Sequence, residues 1–172
     1  MLLLNSVLVA TDFGKTSEVA LKYGRNLARA FGGNLHVLHV AENMIAAAAA
    51  EFYPAPDQVD NPMRNRVDAL LTDEDRTVLH AKAVLRSSAT VAKTIVKYAK
   101  DAHIDLIVVG THGRAAVSHL FMGSVAEQVV RTAPCPVLIV RSNERDFVVS
   151  DPVATRHGSE SPEDRPIPVI PS

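Results

Sequence analysis

Cysteine is almost absent: Cys135 is the single one in 172 residues. One thiol cannot build an intrachain disulfide framework or a multi-cysteine zinc site. An excess of charge of one sign is missing too, since 18 Lys+Arg stand against 19 Asp+Glu for a net charge of −1. That excludes the broad basic footprint by which proteins hold nucleic acid. No apolar run approaches the ~20 residues that cross a bilayer. The opening stretch MLLLNSVLVATD has no basic segment and reaches Asp12 early, unlike a signal peptide. What the sequence does have is material for a core: 47% of residues are hydrophobic and 22% charged, far from the composition of a disordered chain. The expectation is a soluble cytoplasmic protein with no nucleic-acid or membrane partner, its length fitting one domain of roughly 150 residues with an appendage.

Apolar runs alternate with amphipathic stretches. Residues 3–10 are rich in Leu and Val, as in a strand buried on both faces. Lys15–Phe31 predicts a helix with Ala20, Leu27 and Phe31 on one face and Lys22, Arg25 and Arg29 elsewhere, ended by Gly32-Gly33. Residues 34–40 predict a second strand, and residues 41–62, with the run Ala46 to Ala50 and three prolines, an irregular connection carrying a helical lid or loop element. A weaker helix is expected over residues 64–72 and a third strand over 78–85. Residues 91–103 predict a helix that buries Ala92, Ile95, Ala99 and Ala102 and solvates Lys93, Lys97 and Lys100. A fourth strand over 105–109, a helix over Ser124–Thr132 stopped by Pro134, and a fifth strand over Val137–Val140 complete the series. Alternation of this kind calls for an α/β fold, a five-stranded parallel sheet with helices on both faces. The expected domain is residues 1–142. Five of the ten prolines fall in the last 21 residues, so residues 143–172 are expected to be a Pro-rich tail, flexible or strapped on a partner subunit.

Residues 110–124, GTHGRAAVSHLFMGS, carry the chemistry. They leave the fourth strand and enter the last helix. Glycine lets backbone approach a ligand closely, and helix-start amides favour an anion, so the segment fits a phosphate cradle. It is neither GxxxxGK[ST] nor GxGxxG.

The spacing G-x2-G-x9-G-S after DLIVVG resembles the ATP-binding signature of the universal stress protein family. Thr11-Asp12-Phe13, HVLHV ending at Val40, and APCPVLIV over residues 133–140 are similar to other landmarks of that family, so the resemblance spans about residues 1–142. It implies the adenine nucleotide alpha hydrolase-like fold with strand order 3-2-1-4-5, and open sheets of this kind bind ligands at the switch point beyond the strand ends. It also implies that Asp12 and the Val40 backbone hold an adenosine, with Ala10 and Thr11 lining the pocket. Gly110, Gly113, Gly123 and Ser124 would surround the ribose and phosphates, adjoined by Thr111, His112, Arg114 and Val125. The implied ligand is ATP, or AMP or ADP, with any Mg²⁺ held by the phosphates; the implied partner is a second copy joined through Val137–Val140. No catalytic residue and no protein metal site follow. Ala10 stands where the family often has proline, Gly14 where it often has serine, and Ser87-Ser88-Ala89-Thr90 replaces a Gly-x-Pro-type entry to a helix.

Structural readings stand beside these. Ser124 and Glu127 fit a capping box, a role compatible with phosphate binding. Asp12 fits a turn after a strand, and Gly24 fits close packing of helix on sheet. His36 and His39, three apart on a strand, point to opposite faces and cannot share a metal. His112 is a candidate ligand neighbour, Arg114 either a phosphate contact or a solvated side chain, and Cys135 an inert packed thiol. The expected function is a small nucleotide-dependent sensor or regulator of the stress response. The alternative is a non-nucleotide-binding dimeric interaction protein, against which the intact glycine spacing counts. An ATP-consuming enzyme would show SGGxDS or HIGH, and neither occurs. No Lys follows Lys100, so any hydrolysis is expected to be very slow.

Overall fold

Short runs of branched apolar residues form the strands β1 (Ser6–Ala10), β2 (Asn34–Glu42), β3 (Lys82–Ser88), β4 (Leu106–Gly110) and β5 (Val137–Val140). In the computed structural model, which describes residues 3–42, 62–111 and 123–141, they make one parallel sheet in the order β3-β2-β1-β4-β5. The helices are α1 (Lys15–Phe31), α2 (Pro62–Asp68), α3 (Asp73–Val78), α4 (Val91–Asp101) and α5 (Ser124–Thr132). Fold class and strand order are those expected. None of the described helices is long and apolar enough to cross a membrane.

Side chains alternate across a strand, and the sheet therefore divides the core in two. Val7, Val9, Leu35, Val37 and Val108 pack against α1 (Ala20, Leu21, Tyr23, Ala28) and against Val67, Leu71 and Leu79. Leu8, Leu38, Ile107 and Val109 pack on the other face against α4 (Ala92, Ile95, Ala99) and α5 (Ala126, Val129). The chain moves outward from β1 to β3 with its helices on one face, then returns past β1 to β4 and β5 with helices on the other. Right-handed crossovers require that change of face when the direction reverses.

Several local expectations are corrected. The α1 face is built on Ala20, Leu21, Tyr23, Gly24 and Ala28, while Leu27 is half-buried and Phe31 is 46% exposed. A Cβ on Gly24 would lie 2.2 Å from Val9 Cγ2, so close helix–sheet contact is the reason for that glycine. The helix expected over 64–72 is α2, begun by Pro62, and Thr72 belongs to the next helix. Thr72 caps α3: its hydroxyl accepts from the Asp75 amide at 3.1 Å, and the Asp75 carboxylate accepts from the Thr72 amide at 2.9 Å. Val78 and Leu79 accordingly end a helix, Leu79 buried beneath it, and the third strand starts only at Lys82. Leu3 is 64% exposed and precedes β1. β2 runs two residues past Val40. α4 stops at Asp101 because His103 takes φ 50° and the Ile104 amide bonds back to the Ala99 carbonyl at 2.9 Å. Asp105 precedes β4, its carboxylate accepting from the amides of Asn5 and Ser6 at 2.8 and 3.0 Å. The run Ala46 to Ala50 and the tail lie outside the described residues.

Candidate functional site

Adjacent parallel strands whose following loops turn to opposite faces must leave a crevice between them. Here the neighbours are β1, which leads into α1 on one face, and β4, which leads toward α5 on the other. On the β1 side, Thr11 is buried and its carbonyl accepts a 2.7 Å bond from His39 Nδ1. A carbonyl only accepts, so the proton of His39 is on Nδ1. The Thr11 hydroxyl takes the Phe13 amide at 3.0 Å and donates to Ser17 Oγ at 3.1 Å, which in turn donates to the Gly14 carbonyl at 2.8 Å. Asp12 Oδ1 accepts the Gly14 amide at 2.9 Å, an Asx turn that fixes the carboxylate just beyond the end of β1, with Oδ2 buried. A Cβ on Gly14 would come within 3.1 Å of that same Oδ1. Glycine there gives the Asp12 carboxylate more room than serine would.

On the β4 side, the Thr111 amide donates to the Val140 carbonyl at 2.9 Å and the Thr111 carbonyl accepts the Gly123 amide at 2.6 Å. Thr111 and Gly123, on either side of residues 112–122, are thus joined by a hydrogen bond, with Gly110, the first glycine of the G-x2-G-x9-G spacing, next to Thr111. Gly123 is the N-cap of α5, with φ −59° and ψ 145°. The first intrahelical bond runs from the Glu127 amide to the Gly123 carbonyl at 3.0 Å, which leaves the amides of Ser124, Val125 and Ala126 without helical acceptors at this end. Ser124 is the first helical residue and is exposed. The capping box read into Ser124 and Glu127 does not form, since the cap position falls on glycine; the Glu127 carboxylate pairs with Arg131 at 3.0 Å instead.

The third wall is the end of β2. Peptide groups alternate in direction along a strand. The Leu38 carbonyl accepts the Thr11 amide at 2.9 Å, so the Val40 peptide, two residues on, faces the same way. β1 has ended by then, and Val40 pairs in register only with Arg86 on its other side. The Val40 backbone thus looks into the crevice, while its side chain lies in the core with Val84 and Ile95.

Ala10, Thr11, Asp12, Val40, Gly110, Thr111, Gly123, Ser124 and Val125 are in this way gathered at one end of the sheet. His112, Gly113 and Arg114 lie outside the described residues. Gly110 also has a packing role that its sequence position did not reveal: a Cβ would stand 2.8 Å from Thr16 Cβ, against the first turn of α1. His36 and His39 do face opposite sides, His36 Nδ1 meeting Tyr98 Oη at 2.8 Å. Cys135 is half-buried, and burial with the nearby Asp105 charge pushes its thiol pKa up, away from reactivity. Among the described residues no group of three or more His, Cys, Asp or Glu could hold a metal ion.

The profile described as "Universal stress protein family" matches residues 4–141. The chain belongs to the universal stress protein family. A universal stress protein of Thermus aquaticus is 32% identical over 145 residues, covering 79% of this chain and 98% of its own. The universal stress protein UspA of Lactobacillus plantarum superposes with a TM-score of 0.62 at 24% identity, covering 82% of this chain and all of that one. A universal stress protein solved in complex with cAMP superposes at 0.59 with 21% identity, covering 82% and 99%. These superpositions place the five-stranded sheet in the family's fold.

Proposed function

We propose that this universal stress protein binds an adenine nucleotide, ATP in the first instance, in the crevice between β1 and β4, and acts as a nucleotide-dependent regulator. The observation that carries the reading is the Thr111–Gly123 hydrogen bond, which ties the start of α5, whose first amides have no helical acceptors, to the end of β4, the neighbour of the β1 strand that Asp12 follows. The two walls have opposite polarity. Helix-start amides suit phosphate oxygens, and a carboxylate suits ribose hydroxyls, which donate to it. The Val40 peptide supplies one donor and one acceptor to a base edge, and Ser124 adds a hydroxyl to the phosphate end. A family structure solved with cAMP supports a nucleotide as the ligand class. Any Mg²⁺ would be carried by the phosphates.

The same reading includes a homodimer through β5. This strand lies at the sheet edge, pairing with β4 alone among the described strands, and its Val137, Leu138 and Ile139 are only half-buried. Apolar edges of this kind pair unless covered. Mass spectrometry of the purified protein, denatured to release co-purified ligand, tests the nucleotide. An adenine nucleotide in the released fraction, and its loss after dialysis against excess ATP analogue, is the expected result; protein that neither carries nor takes up a nucleotide contradicts it.

A further inference from the structure

Phe13 follows Asp12 with φ 63°, a left-handed conformation that is an outlier for a bulky side chain. Such strain persists where the surroundings over-determine it, and three contacts do so here. The Phe13 amide is held by Thr11 Oγ1 at 3.0 Å. Its ring lies 4.6 Å from the His39 ring, centroid to centroid, and His39 is itself locked by its bond to the Thr11 carbonyl. The guanidinium carbon of Arg66 stands 4.0 Å from the Phe13 ring centroid, within range of a cation–π attraction. Arg66 is well placed to exert it. Its neighbours Val67 and Leu71 are buried in the core on the α1 face, and Arg25 Nη2 donates to the Leu70 carbonyl at 3.1 Å, pinning the chain just after α2. Arg66 and Phe13 line an open cleft of about 270 Å³ with Thr11, Ser17 and Glu18, on the face of the sheet opposite α5.

We propose that Arg66 is a positioning residue for the nucleotide site, acting through Phe13 on Asp12 from the far side of the sheet. The inference rests on the nucleotide reading and adds a regulator to it. The guanidinium is attracted to the ring only while residue 13 stays in its strained conformation, so the attraction offsets the strain. Without it, residue 13 relaxes toward negative φ. That rotates the peptides flanking it and breaks the Gly14 amide bond to Asp12 Oδ1, so the carboxylate is no longer held where the turn sets it.

The test combines ATP titration by calorimetry with amide hydrogen exchange on the nucleotide-free protein. Arg66→Ala is expected to weaken ATP binding about fivefold, with Arg66→Lys restoring it to within about twofold. Exchange of the Gly14 amide should accelerate in Arg66→Ala while that of Thr111 stays unchanged. Phe13→Gly adopts φ 63° without strain, so Arg66→Ala added to it should change neither reading, a coupling that a merely structural role would not produce. Unchanged Gly14 exchange and ATP affinity in Arg66→Ala, or the same loss with and without the Phe13 ring, would overturn the proposal. A parent protein that binds no ATP sinks the nucleotide reading instead, and the Gly14 exchange rate still decides whether Arg66 holds the turn.

Discussion

Arg25 grips both carboxylate oxygens of the wholly buried Asp75, Nε to Oδ1 at 2.7 Å and Nη2 to Oδ2 at 2.8 Å. The pair joins the middle of α1 to the capping box of α3, and the Asp75 carbonyl takes the Ala81 amide at 3.0 Å just before β3. Burial pushes the Asp75 carboxyl up, but the bonds from Arg25 and Thr72 and the Arg25 charge outweigh it, leaving its pKa below the ordinary value. A folded-state pKa below the unfolded one of about 3.9 makes this stabilisation complete above that pH and lost as pH falls through the folded value. Asp75→Asn should cost about 3–5 kcal/mol at neutral pH. Urea unfolding at pH 7 and near pH 3 should show the gap between variant and parent narrowing in acid; a gap of equal size at both would count against the assignment.

Gly24→Ala tests how closely α1 approaches the sheet. Alanine improves helix propensity by about 1 kcal/mol, but its methyl would sit 2.2 Å from Val9 Cγ2, and overpacking of a filled core costs about 1–3 kcal/mol or more. The clash should win, for a net loss on the order of 1–2 kcal/mol in thermal or urea unfolding. Val9→Ala should recover part of it in the double variant. A stabilised Gly24→Ala protein would mean that α1 stands further from β1.

Legibility in the sequence followed the strength of the local signal. Long elements with clear punctuation, α1 between Gly14 and Gly32 and α5 between Gly123 and Pro134, have the bounds that their residues announce. The α1 face was harder to read because its contact stripe is Ala20, Gly24 and Ala28, small residues that carry little hydrophobic periodicity, whereas Leu27 and Phe31 carry much. α3 was hidden because its capping box uses aspartate in place of the usual Glu or Gln, and the apolar pair Val78-Leu79 looked like the start of a strand. At the site, glycine spacing and Asp12 were visible as a pattern. The Arg66–Phe13 and His39–Thr11 contacts were not, since nothing local links residues so far apart in the chain.

Ile139→Lys should convert a dimer to a monomer in light scattering, because a charge on the apolar edge strand opposes pairing. The sheet itself should survive, as Ile139 is only half-buried. A parent protein that is already monomeric at roughly tens of micromolar, a concentration that populates all but weak dimers, would contradict the β5 interface.

ATP should behave as a ligand and not as fuel. Fast phosphoryl transfer needs a cationic clamp, a protein-held metal and a group orienting water, and the described part of the crevice offers amides, hydroxyls and one carboxylate. Turnover is expected on the order of 10⁻² s⁻¹ or less, against the 1–10³ s⁻¹ typical of enzymes. A phosphate-release assay on protein free of contaminating ATPases checks this. A rate near 1 s⁻¹ (roughly) abolished by His112→Ala would make the protein an enzyme.

The most direct test of the crevice as a nucleotide site is calorimetric titration of ATP into the parent and into Gly123→Val. Gly123 has φ −59°, which valine accepts, so the fold of the free protein should hold, with only the modest loss that valine brings at an N-cap, while a branched side chain enters the phosphate end. One nucleotide per chain is expected for the parent, and at least a tenfold weaker dissociation constant for the variant, about 1.4 kcal/mol. Equal dissociation constants for the two proteins would contradict it.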